Sequence, residues 1–292
     1  MRDTVKGFWA IVAACTVWGL SGMYYKMLAA VPPLEVLAHR TLWSLVFFGA
    51  VLIVQRRVGA LAAALRGRNL GILAISALVI SINWFGFIWS VQNGRAVEAS
   101  LGYYIFPLVA VVLGLVVFGE RLDRLQGAAV ALAALAVGGL TWGLGAAPWM
   151  ALLLAGTFGA YGLIKKRLDL GPVVSVTAEV ALLAPFALGL LLALHYGVFG
   201  LAPGSGHFGA DWRESALLAF SGVLTGGPLM LFSYAARRVR MATLGLVQYL
   251  NPTLQFAVAV LVFGEPLTQW HAMAFPLIWG ALALYSLASL RR

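Results

Sequence analysis

The chain has 292 residues, of which 62% are hydrophobic and 10% charged, and a formal net charge of +10. A soluble domain carries roughly a quarter charged residues, so these few charges exclude a water-facing surface of this size and point to lipid as solvent. The lone Cys15 excludes an intrachain disulfide and a thiolate metal cluster, and the basic residues sit at predicted helix ends, as membrane topology requires, so they do not indicate nucleic-acid binding.

Apolar runs of about 20 residues, enough for a helix to cross a ~30 Å hydrocarbon core, predict an all-α polytopic membrane protein with ten transmembrane helices. The first span, 7–28, follows a short charged N-terminus resembling a signal peptide, but it is long enough to cross and lacks a clear cleavage site. It offers Trp18, Ser21 and Tyr25 to a solute. The second span, 34–54, carries His39 and Arg40 within apolar sequence. Arg40 lies about 9 Å past the helix start by helical rise. A charge at mid-membrane costs about 2.5–3.5 kcal/mol on insertion scales. Arg40 is therefore expected to pair with Glu98 or Glu35, to snorkel to headgroups, or to serve proton coupling. In the third span, 70–92, Ser76, Asn83 and Ser90 recur at seven-residue steps and share one face. The readings are a pathway lining and, for the serines, close helix packing.

The fourth span, 97–118, holds Tyr103, Phe106 and the kink candidate Pro107. Tyr103 and Tyr104 either stack on a solute or join the interfacial aromatic belt. The fifth span, 124–143, is rich in Ala and Gly and suits peripheral packing. The short sixth span, 148–165, places Thr157, Tyr161 and Lys165 at steps of four. In the seventh, 173–195, Glu179 lies about 10 Å deep by helical rise; it is expected to pair with a cytoplasmic basic residue in a gating or structural role, to reach headgroups, or to serve proton coupling. A polar, Gly-rich loop, 196–214, follows. The eighth span, 215–236, is interrupted by Gly226, Gly227 and Pro228, expected to act as a kink or hinge. The ninth, 241–263, carries Gln248, Asn251 and Gln255 on one face, with Pro252 as a second kink candidate. These amides either line the pathway or bond neighbouring helices. The tenth span, 269–289, closes the chain. Glu120 and Glu265, after the fourth and ninth spans, are expected to cap the following helix or to act in a gate.

Charge distribution tests this map. Alternate loops and both termini hold 16 Lys and Arg, the opposite loops hold 3, and Arg40 lies within a span. The excess predicts both termini cytoplasmic.

An internal repeat is visible as well. Tyr104-Ile-Phe-Pro107, ten residues, then Phe118-Gly-Glu120 is answered 145 positions later by Tyr249-Leu-Asn-Pro252, the same gap, and Phe263-Gly-Glu265. Trp9, Gly19 and Lys26 match Trp149, Gly159 and Lys166 at an offset of 140, and His39 aligns with Glu179 at the same offset. The expected units are 1–145 and 146–292, each with five spans. Five is odd, so the second unit enters the membrane from the opposite side, the arrangement that commonly underlies alternating access.

The stretches Trp18-Gly19 to Lys26, Glu35-x-x-Ala38-His39-Arg40-x-x-Trp43-Ser44, Asn83-Trp84 … Asn93-Gly94-Arg95 and Glu98-Ala99-Ser100-Leu101-Gly102-Tyr103 resemble RarD-type permeases. Phe158-Gly159-x-Tyr161-Gly162, Gln248-Tyr249 and Pro252-Thr253-x-Gln255-Phe256 continue the resemblance through the second half. These proteins belong to the drug/metabolite transporter superfamily, whose members carry two EamA domains. The resemblance implies ten helices, a bacterial inner-membrane location and export of small metabolites.

The four histidines lack metal-ligand spacing, and no phosphate-binding loop or nucleophile elbow is present. The expectation is a secondary transporter, not an enzyme, with no cofactor or metal. Its expected partners are a small-molecule solute and the lipid bilayer, with a monomer compatible with the sequence, which does not fix the oligomeric state. Amino acids are the foremost solutes, along a route of amides, hydroxyls and aromatics with little fixed central charge. The alternatives are efflux of drug-like hydrophobic compounds and a non-transporting receptor or scaffold.

Overall fold

The computed structural model describes residues 2–290 except 119–123, 146, 166–167, 199, 201 and 240. Glu120 lies outside the described residues. The described chain is all-α, in the order α1 Arg2–Met27, α2 Pro33–Val54, α3 Val58–Ala64, α4 Arg68–Gln92, α5 Ala96–Phe118, α6 Arg124–Leu144, α7 Trp149–Lys165, α8 Pro172–Tyr196, α9 Trp212–Ala236, α10 Met241–Gln248, α11 Leu250–Ala257, a π-helical turn Val258–Val262 and α12 Gln269–Leu290. Among the described residues, seven helices are long and apolar enough to cross a membrane: α1, α2, α4, α6, α8, α9 and α12. Three shorter apolar helical stretches, Ala96–Val109, Trp149–Lys165 and Leu250–Val262, fall on the fourth, sixth and ninth predicted spans.

Large apolar side chains point outward along these helices. Trp142 is 84% exposed, Leu261 81% and Phe186 78%. Such a surface suits a hydrocarbon solvent and would aggregate in water. The interior is equally apolar, with one large cluster running from Tyr25 and Leu28 through Phe87, Leu101, Tyr104 and Leu154 to Phe275 and Ile278.

Neighbour relations follow a pattern. Helix α1 packs on α9 and α11, as α7 packs on α4 and α5. Helix α2 packs on α9 as α8 packs on α4, while α2 meets α8 and α6 meets α12. Exchanging the first five long segments for the last five, with α10 and α11 taken as one, maps this set of contacts onto itself. Close approach depends on missing side chains at two points. A Cβ on Gly19 would lie 2.6 Å from the Leu254 Cβ, and one on Gly102 would lie 2.7 Å from the Ala151 carbonyl oxygen. Both helix pairs, α1 with α11 and α5 with α7, therefore touch nearly backbone to backbone.

Three local features refine the expected map. Helix α9 runs unbroken through Gly226, Gly227 and Pro228. Its glycines serve contact: a Cβ at Gly226 would meet the Phe47 ring at 2.2 Å, and one at Gly222 the Trp43 carbonyl at 2.3 Å. The break occurs in the ninth span instead, where α10 ends at Gln248 and α11 begins at Leu250. Pro252 explains it, because its missing N–H is the one that would bond the Gln248 carbonyl four residues earlier. Pro107, its repeat mate, stands within a continuous α5. Lastly, the second connecting loop contains the short helix α3.

Candidate functional site

A cavity of about 620 Å³ lies within the bundle, walled by α1, α2, α4, α5, α7, α8, α9, α10, α11 and α12. Of the predicted pathway residues, the structure brings Trp18, Ser21, Tyr25, Asn83, Tyr103, Tyr161, Gln248, Asn251 and Gln255 to this cavity, together with Pro107 and Pro252. Ser76, Ser90 and Thr157 do not line it. Ser76 donates to Glu179 Oε1 at 2.6 Å, Ser90 to the Gly86 carbonyl at 2.7 Å and Thr157 to the Leu153 carbonyl at 2.6 Å.

The wall is a chain of aromatic contacts. Ring centroids step from Tyr25 to Phe87 at 5.9 Å, Phe87 to Tyr103 at 5.8 Å, Tyr103 to Phe158 at 5.8 Å and Phe158 to Tyr161 at 6.2 Å. Three of these four contacts are edge-on, the geometry that ring quadrupoles favour. Tyr103 and Tyr104 belong to the interior and not to an interfacial belt. Tyr103 donates to Asn83 Oδ1 at 3.0 Å, and Tyr104, 2% exposed, donates to Thr253 at 2.8 Å.

Asn83 both faces the cavity and joins helices. It lines the cavity, yet its amide donates to the Leu154 carbonyl at 3.0 Å and Thr157 Oγ1 at 2.9 Å while accepting from Tyr103. One side chain thus ties α4, α5 and α7 together. The amides of α11 are less saturated. Gln255 Nε2 donates to Asn251 Oδ1 at 3.0 Å, but its buried Oε1 has no hydrogen-bond partner among the described residues.

The charges depart furthest from expectation. Arg40 pairs with neither Glu98 nor Glu35. It is buried at 8% exposure and lines the cavity, the single charged side chain among the described lining residues. Its Nε donates to Thr225 Oγ1 at 3.0 Å, and its guanidinium carbon lies 4.1 Å from the Trp84 ring centroid and 5.7 Å from that of Tyr25. The expected neutral route therefore carries one fixed positive charge. Nothing in the spacing of Trp84, Phe87 or Phe158 marks them as contacts, and Thr225 carries only a faint signal, a hydroxyl four residues after Ser221 within an apolar helix.

The carboxylates that were candidate partners are engaged elsewhere. Glu98 Oε1 accepts from the Met150 amide at 2.9 Å at the start of α7, and its Oε2 lies 3.5 Å from Arg95. Glu35 accepts from the backbone N–H of His207 at 2.6 Å and lies 2.9 Å from its ring nitrogen, while Phe208 stacks on His39 at 4.8 Å. The loop after α8 is thus folded down onto α2. Glu265 caps a helix, but not the one that follows it: its two oxygens accept from Ala96 and Val97 at the start of α5, at 2.8 and 2.7 Å. A carboxylate at a helix N-terminus satisfies orphan amides and opposes the helix dipole. Glu179 has the basic partner expected of it. Lys165 Nζ lies 2.5 Å away, Tyr161 donates to the same carboxylate at 3.1 Å, and Lys165 also bonds Ser175.

Comparison with known proteins agrees with this architecture. The profile of the EamA-like transporter family matches residues 5–142. The chain is 44% identical to protein RarD of Streptomyces exfoliatus over 277 residues, covering 94% of this chain and 86% of that one. It is 39% identical to an uncharacterised transporter, YojE, of Bacillus subtilis, over 99% of this chain and 96% of the other. A protein of known crystal structure, 20% identical, superposes with a TM-score of 0.62 over 100% of this chain and 99% of that chain, which shows likeness of fold. Helical bundle and relatives together define a multi-pass inner-membrane transporter of the drug/metabolite type. The chain belongs to the RarD group of EamA-like transporters within that superfamily.

Proposed function

We propose that this protein is a secondary transporter that exports small amphipathic metabolites, amino acids foremost, by alternating access through the central cavity. The observation that carries this reading is the cavity: about 620 Å³, suited to a small solute, reached by nearly every long helix and lined by both aromatic faces and polar groups.

Two repeats of five spans, 1–145 and 146–292, are supported by the exchange pattern of helix neighbours. Ten spans with alternating sidedness are supported by which helix ends touch. Lys165 at the end of α7 meets the first half of α8, Glu98 meets the start of α7, and Glu265 meets the start of α5. Each contact joins ends that the alternation places on one side. Cytoplasmic termini follow from the distribution of Lys and Arg.

The test is flux of a panel of amino acids in proteoliposomes, with and without a pH gradient. Saturable flux of at least one amino acid is expected. No flux for any of them would overturn the amino-acid reading. The continuous aromatic wall favours a second reading, efflux of drug-like hydrophobic compounds, which the same vesicles distinguish by transporting such compounds alone.

A further inference from the structure

The transport reading leaves the nature of the solute's head group open, and Arg40 bears on it. A guanidinium buried away from water needs compensation, ordinarily from a carboxylate. Here the compensation is partial: one hydrogen bond from Nε to Thr225 and the π-faces of Trp84 and Tyr25. No described residue accepts from its Nη nitrogens, which are not sealed off from the cavity. Glu35, Glu98 and Glu179, the buried or half-buried acids within reach in sequence, all have other partners. The edge of the guanidinium that forms paired hydrogen bonds to planar anions is therefore available to a solute.

We propose that Arg40 is the docking point for the carboxylate of the transported solute, so that the cavity selects monoanionic or zwitterionic carboxylates with an apolar body. The inference rests on the cavity being the solute site. Charge balance limits the class. The described lining holds one cation and no acid, so the opposite charge that pairs with Arg40 comes from the solute, and one carboxylate, matched to the planar fork of the guanidinium, supplies it. Thr225 holds the guanidinium from one side, and the Trp84 ring fixes its plane, which preorganises it before a solute arrives. The aromatic run from Tyr25 to Tyr161 offers the body of the solute an apolar face. Gln248, Asn251 and Gln255 add amide groups to the same lining. An amino acid with a large apolar side chain meets both conditions, a carboxylate for Arg40 and an apolar body for the rings.

Binding, not flux, is the experiment, so that it stands apart from the transport assay. The purified protein in lipid nanodiscs is titrated with phenylalanine, leucine and methionine and with the amide of each, and binding is read by calorimetry. At least one acid is expected to bind about tenfold or more tightly than its own amide, the scale of a lost charge-assisted hydrogen bond. In Arg40→Gln the acid and amide converge, and Arg40→Lys recovers part of the preference. Equal affinity of every acid and amide in the unaltered protein overturns the proposal, as does failure of every acid to bind. An Arg40 that merely braced the helices would weaken acid and amide alike and leave their ratio unchanged. Acid-selective binding without flux would instead refute the transport reading while leaving the docking role standing.

Discussion

Lys165 and Glu179 form an ion pair with 2.5 Å between Nζ and Oε1, joining the last residue of α7 to the third turn of α8. Glu179 is 1% exposed and Lys165 23%, so the carboxylate depends on this partner and on Ser76 and Tyr161. Removing one member of a buried pair typically costs about 3–5 kcal/mol, while replacing both with apolar groups is far milder. Lys165→Met is therefore expected to lower the thermal unfolding midpoint in detergent sharply. The double variant Lys165→Met, Glu179→Met is expected to recover much of the loss. A double variant as unstable as the single would show that the pair is not the source.

The cap on α5 makes a second prediction. Glu265 reaches from after the π-helical turn to two amides at the start of α5. Glu265→Ala leaves both amides without their acceptor, at a cost of about 0.5–2 kcal/mol, the range for lost N-caps. Hydrogen exchange should speed up at Ala96 and Val97 specifically. Unchanged protection there would argue against the cap.

Phe208 and His207 hold the loop between α8 and α9 against α2 through His39, Trp43 and Glu35. Glu35→Ala removes the acceptor for both the backbone and the ring of His207. The variant is expected to be cut faster by protease within residues 202–210, with the helices unaffected. Cleavage at the rate of the unaltered protein would mean that the aromatic contacts alone hold the loop.

Glycine in α9 separates hinge from contact. A Cβ at Gly222 would lie 2.3 Å from the Trp43 carbonyl oxygen, while one at Gly227 would meet nothing within 4 Å. Gly222→Ala is expected to destabilise the protein. Gly227→Ala is expected to be neutral or to stabilise by up to about 1 kcal/mol, because alanine suits a helix interior better. Lost transport in a stable Gly227→Ala variant would restore the hinge.

The helices were legible because lipid leaves a plain record: long apolar runs punctuated by charge. The polar stripe Gln248, Asn251, Gln255 was legible for the same reason, since amides in such runs are conspicuous. What spacing does not carry is the identity of partners across helices. Arg40 was noticed as a costly charge, but its neighbours Trp84 and Thr225 come from two other helices, and aromatic compensation has no sequence spacing. Ser76, Ser90 and Thr157 share their faces with cavity residues yet bond to Glu179 or to their own helix backbone, which periodicity does not distinguish from lining. The break at Tyr249 follows from Pro252, whereas α9 continues through Gly226-Gly227-Pro228, with Phe47 packed against Gly226.

Access to the cavity from both sides of the membrane tests the account most directly. With Cys15 replaced by alanine, a cysteine at Gln248 or Trp18, both cavity-lining positions, is exposed to a membrane-impermeant thiol reagent from one face and then from the other in oriented vesicles. Modification from either face, slowed by a bound solute, is the predicted result. Reactivity confined to a single face under all conditions, or none from either, would contradict it.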